Sequence, residues 1–145
     1  MKWPMLEKAI VIAAQAHRGQ VDKAGSPCIL HVLRIMLRMP DETGMVAGVL
    51  HDIIEDTPWT AADLATEGFP PEVVRVIQLL SRNKGESYED FISRLAPDPL
   101  ARRVKIADLE DNMDITRLKS ISQDDWGRLE RYQRARRALM EWNAG

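Results

Sequence analysis

Apolar residues recur three and four positions apart in nearly every segment, and no run alternates apolar with polar over a strand's length between turn residues. The pattern predicts an all-α chain. Leu6, Ile10, Ala13 and Ala14 predict a first helix over about Met5 to His17, and Gly19, Gly25 and Pro27 break the polar stretch that follows. Ile29, Leu33, Ile35 and Met36 predict a second helix, closed by Pro40. Asp41 reads as the N-cap of a third, whose apolar face is Met45, Val46, Val49, Leu50 and Ile53 and which Thr57-Pro58 ends. Thr60 and Asp63 resemble a capping box for a short helix stopped by Gly68. Pro71 suits the first turn of the next, carrying Val73, Val74, Ile77 and Leu80. Asn83-Lys84-Gly85 separates it from Tyr88, Phe91, Ile92 and Leu95. Pro97 and Pro99 then precede a helix from about Leu100 to Ile115. A last helix, about Asp124 to Trp142, turns Leu129, Tyr132, Ala135 and Leu139 inward and its arginines outward. No repeat or linker divides the chain, so one helical domain over residues 1–145, of about seven to eight helices, is expected.

Composition narrows the function classes. The chain has 20 Lys+Arg against 22 Asp+Glu, a net charge of −2 that argues against a duplex-DNA binder. Five arginines of the last helix could contact RNA, but Glu130 and Glu141 dilute them and a solvated face is the better reading. The same helix carries Trp126 and Trp142, expected to pack it onto the domain or onto a second copy in a homodimer. The single cysteine, Cys28, excludes an internal disulfide and reads as a small hydrophobe. Residues Ala9 to Ala14 imitate a signal peptide, yet Glu7 and Lys8 interrupt the approach and the apolar run is too short. No stretch approaches bilayer-spanning length, so a soluble, cytoplasmic protein with no membrane partner is expected.

The chemistry concentrates in Leu50-His51-Asp52-Ile53-Ile54-Glu55-Asp56-Thr57. If the third helix continues through it, His51 stacks with Glu55 and Asp52 with Asp56. Carboxylates crowded in this way repel, and no neighbour in sequence supplies a cation, whereas a bound divalent metal such as Mn, Fe or Zn would relieve them. His31, after a Gly/Pro loop, and Asp108, behind the apolar run before it with Asn112 one turn on, would complete a site of two His and two Asp from three helices. His17 reads as a cap of the first helix.

These residues also match a family. Ala16-His17-Arg18-Gly19-Gln20, then Lys23, Gly25, Pro27 and His31, then His51-Asp52 through Glu55-Asp56-Thr57, then Lys105-Ile106-Ala107-Asp108 and Asn112, resemble the hydrolase domain of the Rel/SpoT alarmone enzymes, which are HD-domain phosphohydrolases. The resemblance spans about Leu6 to Asn112. It implies a compact HD-type helical domain in which His31, His51, Asp52 and Asp108 hold Mn²⁺ while Glu55 and Asp56 order and deprotonate the attacking water. It further implies that Lys23 faces substrate phosphate and that Asn112 contacts the nucleotide near its ribose; Arg18 and Lys105 are further candidates for the polyphosphate. The implied reaction is removal of the 3′-pyrophosphate of (p)ppGpp, and the chain has room for that module alone. The family's usual Arg, Tyr, Pro and Arg are here Asp22, Cys28, Val32 and Leu109, which leaves the base open, with (p)ppApp an alternative substrate. A 5′-nucleotide phosphohydrolase and a non-catalytic nucleotide-binding module are the other readings.

Overall fold

The computed structural model describes residues 5–144, so the ends of the expected domain, 1–4 and 145, lie outside it. Its helices are α1 (Met5–Ala16), α2 (Cys28–Leu37), α3 (Glu42–Leu50), α4 (Ile53–Asp56), α5 (Ala61–Thr66), α6 (Pro71–Leu79), α7 (Tyr88–Leu95), α8 (Pro99–Asn112) and α9 (Gln123–Met140), with a 3-10 turn at Ile115–Arg117. The all-α reading holds. The β pairing among the described residues is an isolated bridge between Val21 and Pro27, which closes the loop after α1.

Local chemistry starts most helices where the sequence puts them. Asp41 accepts the Gly44 N–H, Thr60 and Asp63 form a reciprocal capping box, and Pro71 opens α6. Ser87, Asp98 and Ser122 cap α7, α8 and α9 in the same way. Several boundaries differ from expectation, among them the end of α9 at Met140 where Trp142 is expected. α1 stops at Ala16, and α8 stops at Asn112, with the following residues tightened into the 3-10 turn. The third helix does not run on to Thr57: it breaks at His51-Asp52 and restarts as α4. The break has a local cause. The Gly48 carbonyl, which a continuing helix would bond to the Asp52 N–H, instead accepts both the backbone N–H and the ring Nδ1–H of His51. The register that would stack His51 on Glu55 is thereby lost, while Asp56 still donates its N–H to the Asp52 carbonyl.

α3 lies between two apolar clusters and serves both. Ala47 packs with Ile35, Val76, Phe91, Leu95, Val104 and Leu139 from α2, α6, α7, α8 and α9. Val46, Val49 and Leu50 pack with Ala9, Ile12, Val32, Leu64 and Ile77 from α1, α2, α5 and α6. Burial all round suits a central helix. Trp142 joins the first cluster with the Arg102 guanidinium 4.6 Å from its ring centroid. Trp126, expected to pack α9 down, is instead 56% exposed, because it falls on the face of α9 opposite Ala135 and Leu139. No helix of the described residues is long and apolar enough to cross a membrane.

At Gly48, α3 lies close against the backbone of α2. A Cβ there would meet the Met36 backbone Cα at 3.3 Å, a contact that only a shift of α2 relieves. Gly48→Ala is therefore expected to lower stability by about 1–3 kcal/mol. Gly127→Ala, on α9 with nothing within 4 Å, should raise it by about 0.5–1 kcal/mol. Urea denaturation midpoints at unchanged m-value check both signs.

Candidate metal centre

His31 lies in the first turn of α2, His51 and Asp52 in the turn between α3 and α4, and Asp108 in the second half of α8. Packing of α2 and α3 against α8 brings them together. His31 Nε2 is 2.9 Å from Asp108 Oδ1 and 3.9 Å from Asp52 Oδ2. His51 Nε2 is 3.1 Å from Asp52 Oδ1 and 3.5 Å from Asp108 Oδ1. The two imidazoles meet edge to face with centroids 5.5 Å apart.

Each ring is oriented from behind. His51 Nδ1–H donates to the Gly48 carbonyl at 2.7 Å, leaving Nε2 buried, facing two carboxylates, and without a hydrogen-bond partner. An imidazole lone pair aimed at carboxylate oxygens is repulsive unless a cation sits between them. A divalent ion is such a cation, and imidazole with carboxylate is a donor set that such ions accept. One donor atom each from His31, His51 and Asp52 lies within 4.8 Å of the others, with Asp108 adjoining both rings. His31 Nδ1–H donates to Asp111 Oδ2 at 2.6 Å, which turns its Nε2 toward the same point. Asp111 is in turn gripped by Arg34 Nε at 2.8 Å and approached by Arg117 at 3.6 Å. Neither Asp111 nor Arg34 is among the residues expected from the sequence. The signal was nonetheless present: each stands one helical turn after a donor, Asp108 or His31.

Charge in the centre is tightly balanced. Burial disfavours an ionised Asp108, but Lys105 Nζ at 2.8 Å and the two histidines hold its carboxyl well below the usual range. Burial likewise opposes a charged His31, yet its bonds to Asp108 and Asp111 push it up to about 10. Asp52 and Asp108 raise His51 in the same way against its burial. Asp52, Glu55 and Asp56 form a second cluster toward the rim. Desolvation by the cavity wall, then the charges of Asp52 and Glu55, push Asp56 up to about 6. Desolvation raises Glu55 too, and its Oε1 accepts the Arg82 backbone N–H at 3.1 Å.

A cavity of about 380 Å³ opens over this centre and is lined by His31, Asp52, Glu55, Asp56, Lys105 and Asp108, among others. A second hollow of about 390 Å³ shares Asp22, Asn112, Arg117 and Tyr132 with it and adds Lys23 and Arg128. Both fall in the range of small-molecule sites. Lys105 reaches the cavity but is already committed to Asp108, and Asn112 Nδ2 donates to Asp108 Oδ1 at 3.1 Å. Arg18 is exposed beyond α1 and lines neither hollow. His17 directly follows the last residue of α1, the cap position expected, and is buried and also lines the cavity; its Nδ1–H donates to Gln20, whose amide donates to the Asp56 carbonyl. Of the departures from the family pattern, Leu109 is fully buried in the core, so it reports packing and not the pocket. Asp22 does line both hollows, with Oδ1 accepting the Ala24 and Ser26 N–H groups.

A metal ion binding this donor set has to displace a proton from His31. Its affinity is therefore expected to rise with pH between about 6 and 9, by roughly tenfold per unit for each proton displaced. Calorimetric titration of Mn²⁺ in buffers of different ionisation enthalpy reads the protons released, and His51→Ala should abolish tight uptake.

Comparison with known proteins agrees with this architecture. Residues 9–125 match the family model described as HD domain. The chain is 32% identical over 128 residues to a GTP pyrophosphokinase of Myxococcus xanthus, covering 75% of this chain and 17% of that protein. It is 28% identical over 120 residues to a guanosine-3′,5′-bis(diphosphate) 3′-pyrophosphohydrolase of Aquifex aeolicus, covering 74% and 17%. It is also 28% identical over 124 residues to the bifunctional (p)ppGpp synthase/hydrolase SpoT of Escherichia coli, again covering 74% and 17%. The chain thus spans about a sixth of the length of these curated relatives. A solved structure described as a metazoan ortholog of SpoT that hydrolyzes ppGpp superposes with a TM-score of 0.78 at 22% identity, covering 99% of this chain and 91% of that one. The chain belongs to the HD-domain family.

Proposed function

We propose that this chain is an alarmone hydrolase that binds one divalent metal, Mn²⁺ on the family resemblance, and removes the 3′-pyrophosphate of guanosine or adenosine alarmones in the cytoplasm. The observation that carries the reading is the buried, unpartnered Nε2 of His51 facing Asp52 and Asp108, with the Glu55-Asp56 pair beside it in a cavity of nucleotide size. The pyrophosphohydrolase and synthase/hydrolase names of the relatives support the substrate class.

In this mechanism His31, His51, Asp52 and Asp108 hold the ion. When bound, it supplies a neutralising charge for the phosphoryl oxygens and lowers the pKa of water. Glu55 and Asp56 position the attacking water, and Asp56, ionised at neutral pH but more basic than an ordinary carboxylate, takes its proton. The bond from water oxygen to phosphorus forms as the bond from phosphorus to the 3′-oxygen breaks. That oxygen then takes up a proton, and pyrophosphate leaves beside the 5′-phosphorylated nucleoside. Lys23 and Asn112, on the second hollow, take the nucleotide's phosphate and ribose. Lys105 acts by keeping Asp108 ionised and aimed. Arg18, away from both hollows, has no part in it.

A panel of 3′-pyrophosphorylated guanosine and adenosine nucleotides, assayed with Mn²⁺ and resolved by chromatography, tests the reading and assigns the base. Pyrophosphate is the expected product, lost with EDTA. Glu55→Gln and Asp56→Asn should each lower kcat by about 10²–10⁴ with Mn²⁺ affinity retained. Orthophosphate as product would favour the 5′-nucleotide phosphohydrolase alternative, and tight binding without any product would leave a binding module.

A further inference from the structure

Among the described residues, two arginines of the metal cavity have no carboxylate partner. Of the arginines lining it, Arg34 is held by Asp111, and Arg117 by Asp111 and Asp114. Arg82 and Arg131 line the same cavity without an ion pair among the described residues. Arg82 donates Nε to the Glu86 carbonyl at 2.9 Å, and Arg131 makes ring contacts only.

Both lie over one aromatic ring. The guanidinium carbons of Arg82 and Arg131 are 5.9 and 5.2 Å from the Tyr88 centroid, and Lys105 Nζ is 5.9 Å from it. These cations come from the turn after α6, from α9 and from α8, so three separate elements converge on the first residue of α7. Only Lys105 among them is neutralised, by Asp108. The Tyr88 hydroxyl oxygen is buried without a hydrogen-bond partner. A lost partner at such a group is costly, and nothing in the fold returns that cost. Burial, the leading influence, keeps the phenol protonated and hence a donor. Two guanidiniums without a carboxylate partner among the described residues, on the wall of a cavity that Tyr88 also lines, are what a phosphate group satisfies.

We propose that Arg82, Arg131 and the Tyr88 hydroxyl form the subsite for the distal phosphate of the pyrophosphate group. The assignment rests on the alarmone-hydrolase reading above. The cluster is tied to the reacting centre by two bonds: Lys105 to Asp108, and the Arg82 backbone N–H to Glu55. Tyr88, Arg82 and Arg131 are absent from the second hollow, where Lys23 stands. The phosphate that lies next to the reacting phosphorus and away from the nucleoside is the distal one.

Calorimetric titration of inorganic pyrophosphate and orthophosphate onto the Mn²⁺-loaded chain, without nucleotide, tests this. Wild type should bind pyrophosphate more tightly than orthophosphate. Arg131→Gln should weaken pyrophosphate at least about tenfold and Tyr88→Phe about three- to tenfold, both with Mn²⁺ affinity unchanged. Tyr88→Phe should also melt no lower than wild type, since the hydroxyl leaves no partner behind. Pyrophosphate affinity unchanged in both variants, or absent in wild type, overturns the subsite. Weakened pyrophosphate binding in a chain that turns over no nucleotide would leave the subsite standing and remove the proposed activity. Nucleotide turnover with unchanged pyrophosphate binding in the variants would do the reverse.

Discussion

Asp108 is 4% exposed, and a lone carboxylate at that depth would be neutral or would unfold the chain around it. It stays ionised because Lys105, Asn112 and His31 each place a donor on its two oxygens. Lys105 and Asn112 come from its own helix, three residues before and four after, so α8 carries that part of the arrangement by itself. His31 comes from α2, and His51 from the end of α3, so the remaining satisfaction requires the tertiary fold. The close approach of α3 to α2 at Gly48 and the break at His51 accompany that arrangement.

The metal-side geometry was legible in the sequence because it rests on short-range spacing. Asp108 and Asn112 sit on one helix, whose periodicity fixes their mutual direction, and His51-Asp52 and Glu55-Asp56 are adjacent pairs, whereas the relation of one pair to the other is set by the break between α3 and α4. The break between Leu50 and Ile53 was not legible, because both residues are fully buried and keep the apolar rhythm of a continuous helix. Only the competition for the Gly48 carbonyl ends it, and that depends on a side-chain rotamer. Asp111 escaped notice for a related reason. Beside Glu110 it reads as part of a polar face, while in the fold Glu110 turns to Arg136 and Asp111 turns inward to His31. Arg82, Tyr88 and Arg131 belong to no motif and meet only through tertiary packing, so periodicity carries no trace of their meeting.

The departures from the family pattern divide by location. Leu109 occupies a core position in one cluster with Val104 and Leu139, where a guanidinium would be buried among apolar side chains. Asp22 spends one oxygen on closing the loop after α1, so the change there is partly a change in loop architecture. Cys28 and Val32 line the cavity wall, and burial keeps the Cys28 thiol protonated. The acidic machinery is thus retained while the surface beside it is rebuilt with smaller, less basic side chains.

The electrostatic arrangement also bears on how the empty and loaded states relate. Without an ion, part of the charge that balances Asp108 is carried by a proton on His31, which its bonds to Asp108 and Asp111 push up to about 10 against its burial. The bonds from behind, His51 Nδ1–H to the Gly48 carbonyl and His31 Nδ1–H to Asp111, use the opposite ring nitrogens and persist through the exchange. The Arg34 grip on Asp111 and the Lys105 grip on Asp108 then have no reason to move. A centre built in this way is organised before its ion arrives, and binding energy goes into the ion's own bonds in place of reordering the helices that hold them.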